Sequence, residues 1–218
     1  MLRLLLLFCL FSGGLRAQSP DSTAAISRFQ VGVVYGQMDH EVEFTPSRDV
    51  EALRGREIGV AVRYFDKRLV GIQAELSLVD AGWREDLGDT LTSQYERSFQ
   101  FAELQLLTQF SFGDGVFQPM LQAGPYLSVP LSEAETIPAG FSPDTTGVPV
   151  VYGFDLPFRI NYGLRVGLGF NVELGPLTLQ ADARALIGFN DLIKTGTTRA
   201  AISRRTGLGG HAGLFYAF

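Results

Sequence analysis

The segment INYGLRVGLGFNVELGPLTLQADARALIGFNDL, residues 160–192, has the clearest alternating pattern in the chain. From Ile160 to Val172 every second residue is aliphatic or aromatic, and the residues between them are Asn, Gly or Arg. After the turn signal Leu-Gly-Pro at 174–176, Leu and Ala alternate with Thr, Gln, Asp and Arg. A period of two indicates β-strands with one apolar and one polar face. The segment therefore predicts a β-hairpin.

The same alternation recurs along the chain and predicts an all-β protein of eight strands. The strands are expected near 29–37, 58–64, 70–78, 102–112, 117–129, 160–172, 177–185 and in the residues before Phe218. Short links follow strands two, four and six, and long links fall near 40–56, 85–97, 130–157 and 189–203. This arrangement is typical of an antiparallel, up-and-down transmembrane β-barrel of the bacterial outer membrane. Within the fifth strand, Pro119 and Pro125 predict a bulge or a local bend.

The polar face of the predicted strands decides between two kinds of barrel. A soluble barrel or sandwich also alternates, but it buries its apolar residues around a dry core or a ligand. Here the polar face carries many charged, Gly and Gln residues, which is too polar for a dry core. The pattern therefore favours a barrel with lipid outside and a polar lumen inside.

The first residues have the features of a cleavable signal peptide. Arg3 precedes an apolar run at 4–11, which is about half of the ~20 residues that a membrane-spanning helix needs. Ala17 suits the residue before the cleavage site. Cys9 lies in this segment, so the mature chain is expected to contain no disulfide. We predict a signal peptide over 1–17, a short periplasmic segment over 18–27 and the barrel over 28–218.

The composition argues against a nucleic-acid partner. The 218 residues include 18 Lys and Arg against 23 Asp and Glu, a net charge of −5. Without Arg3 and Arg16, 16 basic residues remain against 23 acidic ones, which gives −7. A chain of this charge repels phosphate. The 17 Phe and 7 Tyr residues suit a wall in which only alternate residues meet lipid.

The final segment HAGLFYAF, residues 211–218, predicts an insertion signal. Leu214, Tyr216 and Phe218 share one face of the last strand. A terminal Phe on such a strand resembles the signal that the barrel-insertion machinery of Gram-negative bacteria reads. We therefore expect this machinery, outer-membrane lipids and lipopolysaccharide among the partners.

Two segments resemble the PorT-like family of outer membrane protein β-barrel domains, which are porin-family proteins. The first is FAELQLLTQFSFGDGVFQPMLQAGPYLSVPL at 101–131, and the second is the hairpin at 160–192. The resemblance implies the barrel fold and an outer-membrane location, and it transfers no catalytic residue. The family's namesake is linked to protein secretion. The matching positions are Glu103, Gly113, Ala123, Gly124, Pro125, Arg204 or Arg205, and Phe218.

The best candidate site is the set of ionisable residues predicted to face the lumen. An eight-stranded barrel is just wide enough for side chains to fill, and buried charges need partners. We expect these residues to pair, either as a static plug or as a proton or ion path that opens when a pair breaks. The set is Arg63, Glu75, Glu103, Arg165, Asp182, Arg184 and His211.

Two further features lie outside that set. Trp83 and Tyr95 are predicted to belong to an outer aromatic girdle at headgroup depth. The link at 130–157 has five Pro and four acidic residues but no Lys or Arg. A link of this length is a candidate surface for a partner.

The sequence favours a protein that is not an enzyme. His40 follows Asp39 at the mouth of the first long link, but adjacent strand residues point to opposite sides, and no Gly-x-Ser-x-Gly occurs. His211 has no nearby ligand at a metal-binding spacing, so no metal and no cofactor are expected. We favour a structural or interaction barrel whose outer loops meet lipopolysaccharide or a protein. The alternatives are a narrow channel for small solutes and a lipid-modifying enzyme.

Overall fold

The computed structural model describes residues 29–45, 49–67, 69–86, 94–141, 152, 159–192 and 202–218. Eight antiparallel strands form one closed barrel in chain order, as the sequence predicts. Within the described residues, no helix is long and apolar enough to cross a membrane. The strands are β1 Phe29–Thr45, β2 Val50–Lys67, β3 Val70–Glu85, β4 Tyr95–Ser111, β5 Phe117–Thr136, β6 Asn161–Leu174, β7 Leu177–Asp191 and β8 Ile202–Ala217.

The first and last strands close the wall. The β1–β8 ladder runs without interruption from the pair Gln30 and Ala217 to the pair Thr45 and Ile202. Every strand therefore has a neighbour on each side, and the barrel avoids the unpaired edges of an open sheet.

The faces of the strands follow the predicted parity. Each strand exposes apolar residues on its outer face, which together form an apolar band around the barrel. A soluble barrel would not leave such a band in water, and a membrane barrel needs one about 25 Å tall. Representative outward residues, one per strand, are Val33, Val60, Leu76, Leu106, Leu121, Val166, Leu179 and Leu214.

The strands are longer than the alternation predicts. They contain 14 to 20 residues, whereas about 9–11 residues cross a bilayer. Most of the predicted long link at 40–56 is strand, because backbone pairing continues where the outer face becomes polar. On β1, for example, the exposed Tyr35 is followed outward by Gln37 and Asp39. The strand ends beyond the apolar band thus form a polar collar at the long-link end.

The irregularity predicted for β5 lies at another position. Pairing of β5 with β6 is unbroken from Phe117 to Ser128, so neither Pro119 nor Pro125 shifts the register. The shift occurs farther along, where Gln100 and Phe101 of β4 face Ser132 and Pro130. Both predicted prolines face outward, where a local loss of one ladder bond leaves the alternation intact.

Gly55 marks a second irregularity, in β2. The register with β3 shifts by one residue between Ala52 and Glu57. A Cβ at Gly55 would lie 1.7 Å from the carbonyl oxygen of Asp80. The close approach of the two backbones at this bulge therefore requires glycine.

Candidate functional site in the lumen

Eight ionisable side chains lie buried in the barrel lumen. Four are acidic and four are basic, and none is more than 7% exposed. Charge can therefore balance inside the barrel, which matters because an unpaired buried charge is costly. They are Glu57, Glu75, Glu103, Asp182, Arg63, Arg165, Arg184 and Arg205.

Arg165 of β6 joins two acids, one on β2 in the opposite wall and one on β4, two strands away. Its Nη1 donates to Glu57 Oε2 at 2.9 Å, and its Nη2 donates to Glu103. Arg205 of β8 also donates to Glu103, at 3.2 Å, and to the Ser128 hydroxyl at 3.3 Å. One connected group therefore links β2, β4, β5, β6 and β8 across the lumen.

Arg184 of β7 holds a second group. Its two Nη atoms donate to both carboxylate oxygens of Glu75, at 2.7 and 2.8 Å, and its Nε donates to Asp182 at 2.6 Å. Such two-pronged contacts fix the guanidinium in one plane. Gln105 connects the two groups, because it donates to Glu57 at 2.6 Å and accepts from Arg184 at 3.2 Å.

Arg63 lies closer to the short-turn end and differs from the expectation of an ion pair. Among the described residues no carboxylate lies within ion-pair distance of it. Its Nε donates to Gln73 at 2.8 Å, and its Nη2 donates to Gln180. Its guanidinium also stacks over the Phe215 ring, 3.6 Å from the centroid. Amide oxygens and an aromatic face thus replace the predicted acid.

Two histidines lie within the same lumen. His211 Nε2 is 3.2 Å from Glu57 Oε2. His40 is 1% exposed, and its ring nitrogens have no hydrogen-bond partner among the described residues. The sequence analysis placed His40 at a loop mouth, which is wrong because β1 continues to Thr45. Asp39 points outward, so the two neighbours lie on opposite sides, as expected.

The sequence analysis missed Glu57, Arg205 and Gln105 as partners in the lumen network. Glu57 lay between the predicted link at 40–56 and the predicted strand at 58–64, and the start of the last strand was not defined. Parity alone could have identified Glu57 and Arg205. Glu57 lies on the same inward face of β2 as Arg63, and Arg205 lies on the same inward face of β8 as His211.

Trp83 and Tyr95 lie inside the barrel, which corrects their assignment to an outer girdle. Both are fully buried. Trp83 packs against Phe44 and Phe99, with ring centroids 5.4 and 5.9 Å apart. The reason is again parity. Trp83 lies on the same inward face of β3 as Glu75, and Tyr95 lies on the same inward face of β4 as Glu103. Outward aromatics near the short-turn end are instead Phe29, Tyr64, Phe110, Phe112, Phe117, Phe170, Tyr216 and Phe218.

Trp83 and Tyr95 belong to an aromatic cluster inside the barrel at the long-link end. Tyr152, from the link between β5 and β6, packs edge-on against Tyr95 at 4.8 Å and against Phe141 at 5.1 Å. The Tyr152 hydroxyl donates to Glu85 at 2.5 Å, and Trp83 Nε1 donates to the same carboxylate at 2.7 Å. The members are Val42, Phe44, Val79, Ala81, Trp83, Tyr95, Phe99, Phe101, Tyr152 and Leu192, with Val50 and Phe141 against it.

The predicted insertion-signal residues lie on the outer face of β8. Leu214, Tyr216 and Phe218 are exposed. The Phe218 ring packs against Tyr216, with centroids 5.3 Å apart, and its amide donates to the Phe29 carbonyl at 3.2 Å. Their role in insertion stays a prediction.

The described ranges contain no group of three or more His, Cys, Asp or Glu residues that could hold a metal ion. The lumen acids point instead at guanidinium and amide groups.

A closed eight-stranded barrel with an apolar outer band and a polar lumen is a transmembrane β-barrel of the outer-membrane type. The sequence comparison agrees, because the model of the outer membrane protein beta-barrel domain family matches residues 17–194. The chain belongs to this family, and family and fold together indicate the outer membrane.

Comparison with solved structures shows the same fold in OprG. OprG of Pseudomonas aeruginosa is 13% identical, with a TM-score of 0.55 over 88% of this chain and 96% of OprG. Neisserial surface protein A is 13% identical, with a TM-score of 0.49 over 87% of this chain and 97% of that protein. No curated protein sequence matches the chain. At this identity the likeness concerns the fold alone.

Proposed function

We propose that this outer-membrane barrel is a structural or interaction protein whose lumen is closed by its own side chains. In this proposal the long-link end is extracellular and meets lipopolysaccharide or a protein partner. The observation that supports it is the set of four acidic and four basic side chains buried in the lumen. We also propose that the chain is related to the PorT-like proteins, whose namesake is linked to protein secretion.

Two layers support closure of the lumen. The ionic layer joins opposite walls through Arg165 and Arg184, so an ion that enters must break charge-assisted bonds in a site shielded from water. Above it, the aromatic cluster around Trp83 packs bulky side chains into the lumen, and its Tyr152 hydroxyl and Trp83 Nε1 are already bonded to Glu85. Each layer alone opposes passage, and the two lie in series.

Planar-bilayer recording tests this closure. The refolded protein is expected to give no stable open steps. Asp182→Ala removes the carboxylate that accepts from Arg184, Gln122 and Gln180. This variant is expected to give leak currents. Asp80→Ala is the matched control, because Asp80 lies on the outer face near Arg56. Large steady openings in the unmodified protein would overturn the proposal.

Site-specific photocrosslinking in intact outer membranes tests the partner role. A crosslinker at Glu96, on the polar collar of β4, is expected to capture lipopolysaccharide or a protein. The same crosslinker at Asp114, in the short turn after β4, is the control at the opposite end. No adduct at Glu96, or equal adducts at both sites, would contradict a partner at the long-link end.

A narrow channel is the second candidate, and one observation favours it. Several buried polar atoms in the lumen have no partner among the described residues, including both ring nitrogens of His40 and the Gln122 Oε1. Such atoms usually bind water, and a continuous water chain would conduct. Small but stable openings in the same recordings would support this candidate. A lipid-modifying activity would require turnover of lipid A by the purified protein.

A further inference from the structure

A shallow groove of about 900 Å³ lies on the outer face of the barrel, across β6, β7, β8 and β1. Its floor consists of the smallest outward residues of two adjacent strands. Ala183 pairs with Gly210, and Ala181 pairs with Ala212. A Cβ added at Gly210 would meet no atom within 4 Å, so the groove is open above it.

Large side chains stand on both sides of this floor. Leu168 and Phe170 of β6 are in register with Ala183 and Ala181. On the other side, Tyr35 of β1 is in register with Ala212. Because outward residues in register are direct neighbours across a sheet, the floor is a depression in the apolar band.

The end of the groove nearest the long links is polar. Gln37, Asp39 and Arg54 line it on the β1 and β2 side, where Gln37 and Asp39 are in register with Gly210 and Leu208. Arg54 donates to both oxygens of Asp39, at 2.8 and 3.1 Å, yet its side chain is 71% exposed. Arg56, the next outward residue of β2, lies 3.6 Å from Asp80. The groove is thus apolar along its floor and ionic at its long-link end.

We propose that the groove binds one phosphorylated glycolipid of the lipid A class from the outer leaflet. An acyl chain would lie on the floor between Phe170 and Tyr35. Arg54 would donate to a phosphate, while Asp39 and Gln37 would accept from sugar hydroxyls. A sugar phosphate would present several hydroxyl donors to Asp39 and Gln37 next to the phosphate that Arg54 would bind. The site lies outside the lumen and does not depend on the proposed closure.

Native mass spectrometry of the folded full-length protein, titrated with lipid A and separately with phosphatidylglycerol, tests the proposal. Gly210→Leu fills the floor and is expected to weaken lipid A binding about tenfold, comparable to losing one well-packed contact. Ala102→Leu, on the outer face of β4, is the matched control and is expected to bind as the parent does. Arg54→Gln is expected to weaken binding of lipid A more than of dephosphorylated lipid A.

Several outcomes would overturn the proposal. Equal lipid A binding by Gly210→Leu and Ala102→Leu would show that the groove is not the site. Equal binding of phosphatidylglycerol with the same sensitivity to Gly210→Leu would indicate general lipid contact. A dimer that Gly210→Leu abolishes would mean that a second copy occupies the groove. If Gly210→Leu does not fold, Ala183→Leu tests the same floor, and bilayer recordings of either variant keep this result separate from lumen closure.

Discussion

At the scale of single residues, Arg165 connects most of the ionic layer. We predict that Arg165→Met lowers the free energy of unfolding by about 3–5 kcal/mol, because Glu57 and Glu103 lose their shared partner in a buried site. Urea titration of the refolded protein, followed by the heat-dependent shift of the folded band in gels, measures this.

The control for that prediction is an exposed pair of the same chemistry. Arg84 donates to Glu96 at 2.7 Å, but both side chains are partly exposed. Arg84→Met is expected to cost less than about 1 kcal/mol. A comparable loss for both variants would mean that burial of the ionic layer does not set its contribution.

Trp83, the chain's single Trp, provides a probe of its own position. We predict that brominated phospholipids do not quench its fluorescence, because it is fully buried against Phe44 and Phe99. Tyr152→Ala should increase its quenching by acrylamide, since Tyr152 covers the cluster. Leu106→Trp in a Trp83→Phe background is the lipid-facing control. Strong lipid quenching of Trp83 would restore the outer-girdle assignment.

Single residues also show where sequence reasoning reaches its limit. Alternation correctly placed Arg165 and Arg184 inside, because parity is a property of the strand. It could not say that Arg63 meets amides and Phe215 instead of a carboxylate, since that depends on which strands face each other across the lumen. The assignment of Trp83 and Tyr95 to an outer girdle was wrong, because the preference of aromatic residues for the membrane interface was given more weight than strand parity.

At the scale of strands, parity makes a further prediction about β6. Leu164→Arg is expected to cost roughly 2–4 kcal/mol, as for a basic residue near the bilayer midplane. Gln100→Arg makes a similar outward change on β4, but beyond the apolar band, and should be nearly neutral. The yield of folded protein in vesicles measures both. Equal yields would contradict either the outward assignment of Leu164 or the position of Gln100 beyond the apolar band.

Strand number, order and facing were predictable, whereas strand ends were not. The predicted eight-stranded antiparallel barrel is confirmed. The apolar alternation ends at the membrane surface, but hydrogen bonding between strands continues, as in β1 from Gln37 to Thr45. The bulge near Leu131 lies beside Pro130, a local signal that was missed because residue 130 was assigned to the long link at 130–157 and not to β5.

At the scale of the whole molecule, the last residue tests how the barrel reaches its membrane. Deleting Phe218 removes its contacts with Tyr216 and Phe29 and the terminal aromatic of the β8 outer face. We predict a clear fall in outer-membrane yield, with protein accumulating or being degraded in the periplasm. Fractionation with immunoblotting measures this, and Val116→Ala, an exposed change in a short turn, is the control. Unchanged yield of the deletion would contradict the insertion signal.

The ladder between β1 and β8 also dictates an order of events during folding. It pairs residues near 30 with residues near 217, so the wall cannot close until nearly the whole chain is present. The pairs of Arg165 with Glu57 and of Arg184 with Glu75 join residues 108 and 109 positions apart. Contacts at such separation form slowly, because a large loop must close first. The lumen charges therefore stay hydrated while the sheet curls, and their dehydration coincides with the final joining of first strand to last.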